Sequence, residues 1–294
     1  MTIETKSIKD FGSLNGTIEF LENLSHNGYI FRGHSSSKFL LVPSLQRYIE
    51  KRPITFFKKT HDGSLNEITS IILETFKRGL SELGLHFDGS SNLEWLEYAR
   101  HSGVPTPVLD FSYSPYIALF FAFDGIYAEY KNEDQLITNC ENHGNCDCSV
   151  VYAINLIELA NIWSNFNSIP KDTELSKHFK NDFLDQPNNL SFQEFGFKFI
   201  PSPSKYNIRM HRQQGCLLYD TIPYKPLCKS LDFMLEQHHE KYEKYPAAHK
   251  IHIPKIFIAD IFKKLNLMGI TARSLYLTED AVAMDIKNSF NYEI

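Results

Sequence analysis

Apolar residues along the chain switch between a helical and a strand rhythm. Phe20, Leu21 and Leu24 recur on one face of a helix expected within the first 25 residues. After Gly28, the run Tyr29-Ile30-Phe31-Arg32-Gly33-His34 reads as a short buried strand ending in a turn. Ser35–Ser37 is loop, and Pro43 stands near the first turn of a helix restarting over Ser44–Arg47. A helix is expected from about Glu67 to Gly84, with Ile68, Ile71, Ile72, Thr75 and Phe76 on one face. Another runs from Asn92 to His101 and is ended by Gly103. Pro105 and Pro107 exclude helix over Val104–Phe111, which reads as extended. Ser114-Pro115 then opens a helix from Tyr116 to about Ala128, apolar nearly all round and hence buried.

Downstream, Ser149–Ile154 is rich in β-formers, and Asn155 can cap a helix over Leu156–Trp163. Lys171–Asn189 is a polar surface excursion. Further strands are expected at Phe195–Ile200, Gly215–Tyr219 and Ile251–Ile258, and closing helices at Ala259–Leu267 and Glu279–Ser289. No regular βαβαβ alternation emerges. The expectation is one α+β domain over 1–294, with a small split central sheet, flanking helices and a polar insert at about 130–148.

Composition narrows the classes. With 43% apolar and 22% charged residues in 294, the chain is globular rather than disordered or fibrous. Of its 23 Phe and 15 Tyr, much of the aromatic excess sits in the Pro115–Ala128 helix and the strands beside it, and the rings of Tyr116–Tyr127 read first as core and second as a base-stacking platform. A net charge of −5 argues against a broad nucleic-acid surface. The first residues hold no apolar signal region, and Pro115–Ala128 falls short of the roughly 20 residues a spanning helix needs. No membrane partner is expected. Five Cys, odd and sparse, suggest a reducing cytoplasmic location without a disulfide framework.

Most catalytic templates are absent: there is no G-x-S-x-G, Walker loop, G-x-G-x-x-G or HExxH. Cys216 and Cys228 lack a setting that would make either a nucleophile. Cys140, His143, Cys146 and Cys148 form a C-x2-H-x2-C-x-C pattern of zinc-ligand types, though Cys-x-Cys is hard to place on one tetrahedral ion. Structural zinc is one reading, and a reduced polar loop the plainer one. His238, His239, Glu240, His249 and His252 fall in or beside a charged segment, Glu236–Lys250, that reads as a solvated face.

Three separated segments resemble the prokaryotic FRG domain family. The first is Phe31-Arg32-Gly33 followed by Pro43-Ser44-Leu45-Gln46-Arg47. The second runs His101-Ser102-Gly103-Val104-Pro105-Thr106, then Leu109-Asp110-Phe111-Ser112, then Pro115 and Ala118–Ala122. The third is Arg212-Gln213-Gln214-Gly215, with Gly269-Ile270 and Ser274-Leu275-Tyr276 near the end. The resemblance spans roughly residues 15 to 290. The chain departs from it at Pro107, Phe111 and Leu217, and at His34, where the family often has Gln.

A second resemblance is to toxin-type ADP-ribosyltransferases. They carry an Arg or His on an early strand, a Ser-x-Ser strand end leading into an Ala- and Phe-containing helix, and a later acidic residue. Phe31-Arg32-Gly33 and Ser112-Tyr113-Ser114 match the first two elements, while Gln213 stands where the acid would. Together the resemblances imply a cytoplasmic effector in toxicity or anti-phage defence. It would bind NAD+ or a related nucleotide and cleave or transfer ADP-ribose, with a protein partner, target or neutralising factor. The alternative is a non-catalytic module recognising a ligand or phage protein through the same pocket.

In that reading Arg32 grips phosphate or ribose, since a guanidinium presents a planar fork to oxyanions. Gly33 receives an amide, and Thr106, Ser112 and Ser114 orient ribose, with His34 and Arg212 lining the site. Asp110 or Gln213 supports the oxocarbenium centre, with Glu279 or Asp280 as further acids, and His101 is a pocket histidine. Plainer readings stand beside these. Arg32 can simply pair with Asp110, His101 can answer a helix dipole, and Arg212-Gln213 can begin a solvent-facing strand.

Overall fold

Every residue of the strand Cys148–Asn155 is buried, which makes it the spine of the sheet. The computed structural model describes residues 3–51, 65–89, 91–126, 148–155, 158, 197–200, 207–220 and 246–291. Its strands are β1 (Glu4–Ser7), β2 (Tyr29–His34), β3 (Val108–Ser112), β4 (Cys148–Asn155), β5 (Phe197–Ile200), β6 (Gly215–Asp220) and β7 (Ala248–Pro254). They form one seven-stranded sheet in the order β1-β7-β4-β2-β3-β6-β5. β1 runs parallel to β7, and the other neighbours are antiparallel.

The sheet has a seam. β2 pairs with β4 from Tyr29↔Asn155 through His34↔Val150, and β3 pairs with β6 from Val108↔Tyr219 through Ser112↔Gly215. Between β2 and β3 only Phe31↔Ser112 is in register. The expected small split sheet is therefore larger than anticipated and continuous, yet nearly parted at this one line. The α+β class holds.

The helices are α1 (Leu14–His26), α2 (Ser44–Lys51), α3 (Leu65–Glu82), α4 (Asn92–His101), α5 (Pro115–Phe123), α6 (Ile208–Arg212), α7 (Ile258–Leu267), α8 (Ala272–Tyr276) and α9 (Glu279–Ser289). Ser114 caps α5 by accepting from the Ile117 amide, with Pro115 in the first turn. That helix ends at Phe123, short of the expected Ala128, because Asp124 takes an extended conformation and Gly125 a positive φ of 72°.

Alternation along β2 turns Tyr29, Phe31 and Gly33 to one face and Ile30, Arg32 and His34 to the other. The first face carries the main core. Tyr29, Phe31, Val151, Ala153, Ile251 and Ile253 pack there against apolar residues of α1, α5, α7 and α8. Phe120 is wholly buried and meets Phe262 and Tyr276 edge to face. Burying such a ring contributes about 1.5–3 kcal/mol. A smaller cluster joins α3 and α4 (Leu73, Leu96, Ala99) to Val108, Met210 and Leu217.

Some elements differ from expectation. β1 and a 3-10 turn over Ile8–Phe11 precede α1, where a helix was expected throughout. Glu236–Lys250 is not a solvated face at its end, since Ala247, Ala248 and His249 are buried as β7 begins. Asn155 does accept from the Glu158 amide, as a cap would. The excursion Lys171–Asn189, and with it His238, His239 and Glu240, lies outside the described residues. Among the described residues, no helix is long and apolar enough to cross a membrane.

Candidate functional site

Where β2 and β3 part beyond Phe31, the Arg32 side chain bridges the gap. Its Nη1 donates to the main-chain carbonyl of Asp110, and its Nε donates to His34 Nε2 at 2.8 Å. Because Nε2 accepts, the neutral ring carries its proton on Nδ1, which lies 3.3 Å from the Phe39 carbonyl. Burial, and then the charge of Arg32, push the His34 pKa down to about 3. Burial likewise lowers the Arg32 pKa to about 10; Asp110 opposes the fall, while Arg100 and Arg47 add to it. The guanidinium remains charged at neutral pH. Among the described residues no carboxylate bonds to it, and Nη2 makes no hydrogen bond.

The expected Arg32–Asp110 ion pair is thus corrected. The Asp110 carboxylate belongs to Arg100, at the end of α4, which donates Nε to Oδ1 and Nη2 to Oδ2. Arg100 Nη1 also lies 3.4 Å from both Ser44 Oγ and Thr106 Oγ1. Partial burial pushes the Asp110 carboxyl up, but Arg100, then Arg32 and Arg209, outweigh it, so the group ends below the usual carboxylate value. Arg209 of α6 rests 4.3 Å from the ring centre of Tyr276, a cation–π contact. Arg100, Arg32 and Arg209 therefore act on one carboxylate, Asp110, whose two oxygens are both already bound by Arg100.

The sequence-predicted residues separate into those inside this cluster and those serving the scaffold. Gly33 is scaffold. A Cβ there would lie 1.9 Å from the Ala118 carbonyl oxygen and 2.6 Å from the Ala122 nitrogen, so α5 occupies the space expected to admit a ligand amide. Ser112 donates to the Gln213 carbonyl at 2.7 Å and accepts from the Ser114 amide at 3.0 Å, which commits it to the chain rather than to ribose. Thr106 is fully buried, its backbone held by Ser44 and Leu45. Ser114 is the α5 cap described above.

Gln213 ends α6 and is buried, with its Nε2 lacking a hydrogen-bond partner. Its backbone reaches the seam through Ser112, but no contact joins its amide to Arg32. Arg212 is exposed at the end of α6, not at the start of a strand. His101 ends α4 and is exposed; partial burial, then Arg209, lower its pKa. Glu279 and Asp280 stand exposed in the first turn of α9, where the helix dipole favours them.

Residues 27–131 match the FRG domain model. The chain carries an FRG domain. No curated protein and no solved structure matches the chain. The matched stretch of the FRG domain contains Arg32, His34, Arg47, Arg100, Thr106 and Asp110, whereas Arg209 and Gln213 come from beyond it.

Sequence reasoning missed Arg100, the true partner of Asp110. Its signal was a cation in the last turn of α4, ten positions before the carboxylate it binds. Of the cysteine–histidine set, Cys140, His143 and Cys146 lie outside the described residues. Cys148 is buried at the start of β4 and is disulfide-bonded, a state that offers a metal no thiolate and departs from the expected reduced loop. Cys216 is buried and burial pushes its thiol far up, the opposite of an activated nucleophile. Cys228 lies outside the described residues.

Proposed function

We propose that the FRG domain binds an anionic nucleotide, NAD+ or a relative of it, through its phosphates at Arg32. One observation carries this reading. Arg32 is a fixed guanidinium whose protein partners are a neutral imidazole and a main-chain carbonyl, leaving Nη2 unspent. Arginines in the interior are normally paired with an acid. One that hydrogen-bonds to no acid, with the charges of Arg100 and Arg47 also acting on it and the nearby Asp110 carboxylate bound on both oxygens by Arg100, has charge to give to a phosphate.

Capture of the nucleotide is favoured over its cleavage. Breaking the nicotinamide–ribose bond calls for a carboxylate facing the oxocarbenium centre. Asp110 has both oxygens held by Arg100, and Gln213 brings an amide, which carries no charge. Sensing of a nucleotide is therefore the preferred role, within the effector setting that the family resemblance implies. A protein partner would read out the bound state.

Titration calorimetry with NAD+ and ADP, alongside a nicotinamide-release assay, tests both steps. The expected result is binding that Arg32→Ala weakens at least tenfold while the variant melts cooperatively, with no nicotinamide released. Equal binding by Arg32→Ala would remove the reading. Release of nicotinamide would replace sensing by catalysis.

A further inference from the structure

Next to the unspent arginine stands an aromatic ring with no obvious structural duty. Phe39 is 54% exposed, yet the loop that carries it is tied down at several points. Its carbonyl accepts from Tyr152 Oη at 3.1 Å and lies 3.3 Å from His34 Nδ1. Its amide donates to the Ser36 carbonyl. The Ser37 amide donates to the Cys148 carbonyl, and Lys250 Nζ donates to the Ser37 carbonyl, both at 2.9 Å. The ring itself stands edge-on to His34, with centroids 6.3 Å apart.

A chain of contacts thus runs from Phe39 through His34 to Arg32, and the exposed Arg47 lies within electrostatic reach of both His34 and Arg32. An exposed phenylalanine is ordinary on a protein surface. One fixed by a hydrogen-bonded loop, a single side chain away from a guanidinium that no carboxylate hydrogen-bonds, is placed for a ligand that is aromatic at one end and anionic at the other. The ordering cost of the loop is already met by folding, which favours stacking on the ring.

We infer that Phe39 is the stacking platform for the ring of the bound nucleotide, with the phosphates held by Arg32. The inference rests on the anion-site reading and sharpens it. The ligand class becomes a phosphate ester of a planar heterocycle, as opposed to a bare polyphosphate or a sugar phosphate. Stacking of a base on an aromatic side chain changes affinity by roughly 5- to 150-fold, so the ring contributes a measurable share of binding.

Calorimetry with ADP and with inorganic pyrophosphate, on the full chain and on Phe39→Ala, Phe39→Trp and Arg32→Ala, tests the inference. The expected outcome is that ADP binds at least tenfold more tightly than pyrophosphate. Phe39→Ala should bring ADP down to the pyrophosphate level without altering pyrophosphate, and Phe39→Trp should retain the preference. If Phe39→Ala binds ADP as the parent does while Arg32→Ala fails, the platform is overturned and the anion site stands. If the parent binds neither ADP nor pyrophosphate, both fall together.

Discussion

Arg32 Nε donates to His34 Nε2 over 2.8 Å, and that bond exists only while the imidazole is neutral. The ring is a spacer as well as an acceptor, because its other nitrogen faces the Phe39 carbonyl. Glutamine at this position keeps a carbonyl oxygen for Arg32 and an amide N–H for Phe39, whereas leucine keeps neither. His34→Gln should bind nucleotide within about threefold of the parent, and His34→Leu should lose about tenfold, the scale of a hydrogen bond to a charged group. Calorimetry on the two variants decides it; equal loss in both would mean that the ring shape, not the acceptor, holds the arginine.

The same histidine sets a pH dependence. Its folded pKa is near 3 against an ordinary 6.5. Between those values the unfolded chain binds the proton more readily than the folded one, so stability rises with pH. The contribution of His34 is complete above about 6.5 and is lost as pH falls toward 3. His249, whose pKa burial lowers to about 4, acts in the same direction. Melting curves of the parent and of His34→Gln from pH 7 to pH 4 should therefore diverge on acidification, the parent losing more. Parallel curves would show that His34 does not titrate in this way.

Gly33→Ala should be far more damaging than a single methyl group suggests. The new Cβ would meet backbone atoms of α5, which cannot rotate aside as a side chain does. A loss of more than about 3 kcal/mol is expected, beyond the usual range for overpacking. Chemical denaturation gives the value. A variant that melts like the parent would mean that α5 can slide on β2.

Asp110→Asn separates a scaffold carboxylate from a catalytic one. The substitution leaves Arg100 with a neutral partner, and because the Asp110 side chain is 40% exposed the cost should be only about 1–2 kcal/mol. Removing a negative charge from among the arginines should leave nucleotide affinity unchanged or increase it. Loss of nucleotide binding with the fold intact would assign Asp110 to the ligand.

Much of the architecture could be read from periodicity, and the reasons for the misses are local. α4, with Leu96 and Ala99 buried and Ser91 capping it, and α9 both span the residues expected. β1 is Glu-Thr-Lys-Ser, with no apolar alternation, because it is a parallel edge strand ordered by β7 rather than by burial. α6 and α8 span five residues each, too few for a 3.6-residue period to declare itself.

At the site, Arg32 was legible because a cation among apolar residues calls for an explanation. Its partners were not. The ion pair it was expected to make was taken by Arg100, and which of two arginines reaches a carboxylate depends on how far two strands diverge. Gly33 was noticed for its small size, but what fills the missing volume is a helix more than 80 positions away in sequence.

The seam in the sheet bears on what the FRG match delimits. Residues 27–131 supply β2 and β3, which share one register pair. The strands that complete their hydrogen bonding, β4 and β6, both lie after residue 131. A fragment cut to the matched segment would present two open strand edges and a stripped apolar face, the conditions for self-association. The matched stretch thus ends inside a sheet that residues beyond it complete, and cutting the chain at residue 131 would separate β2 and β3 from the strands that pair with most of their length.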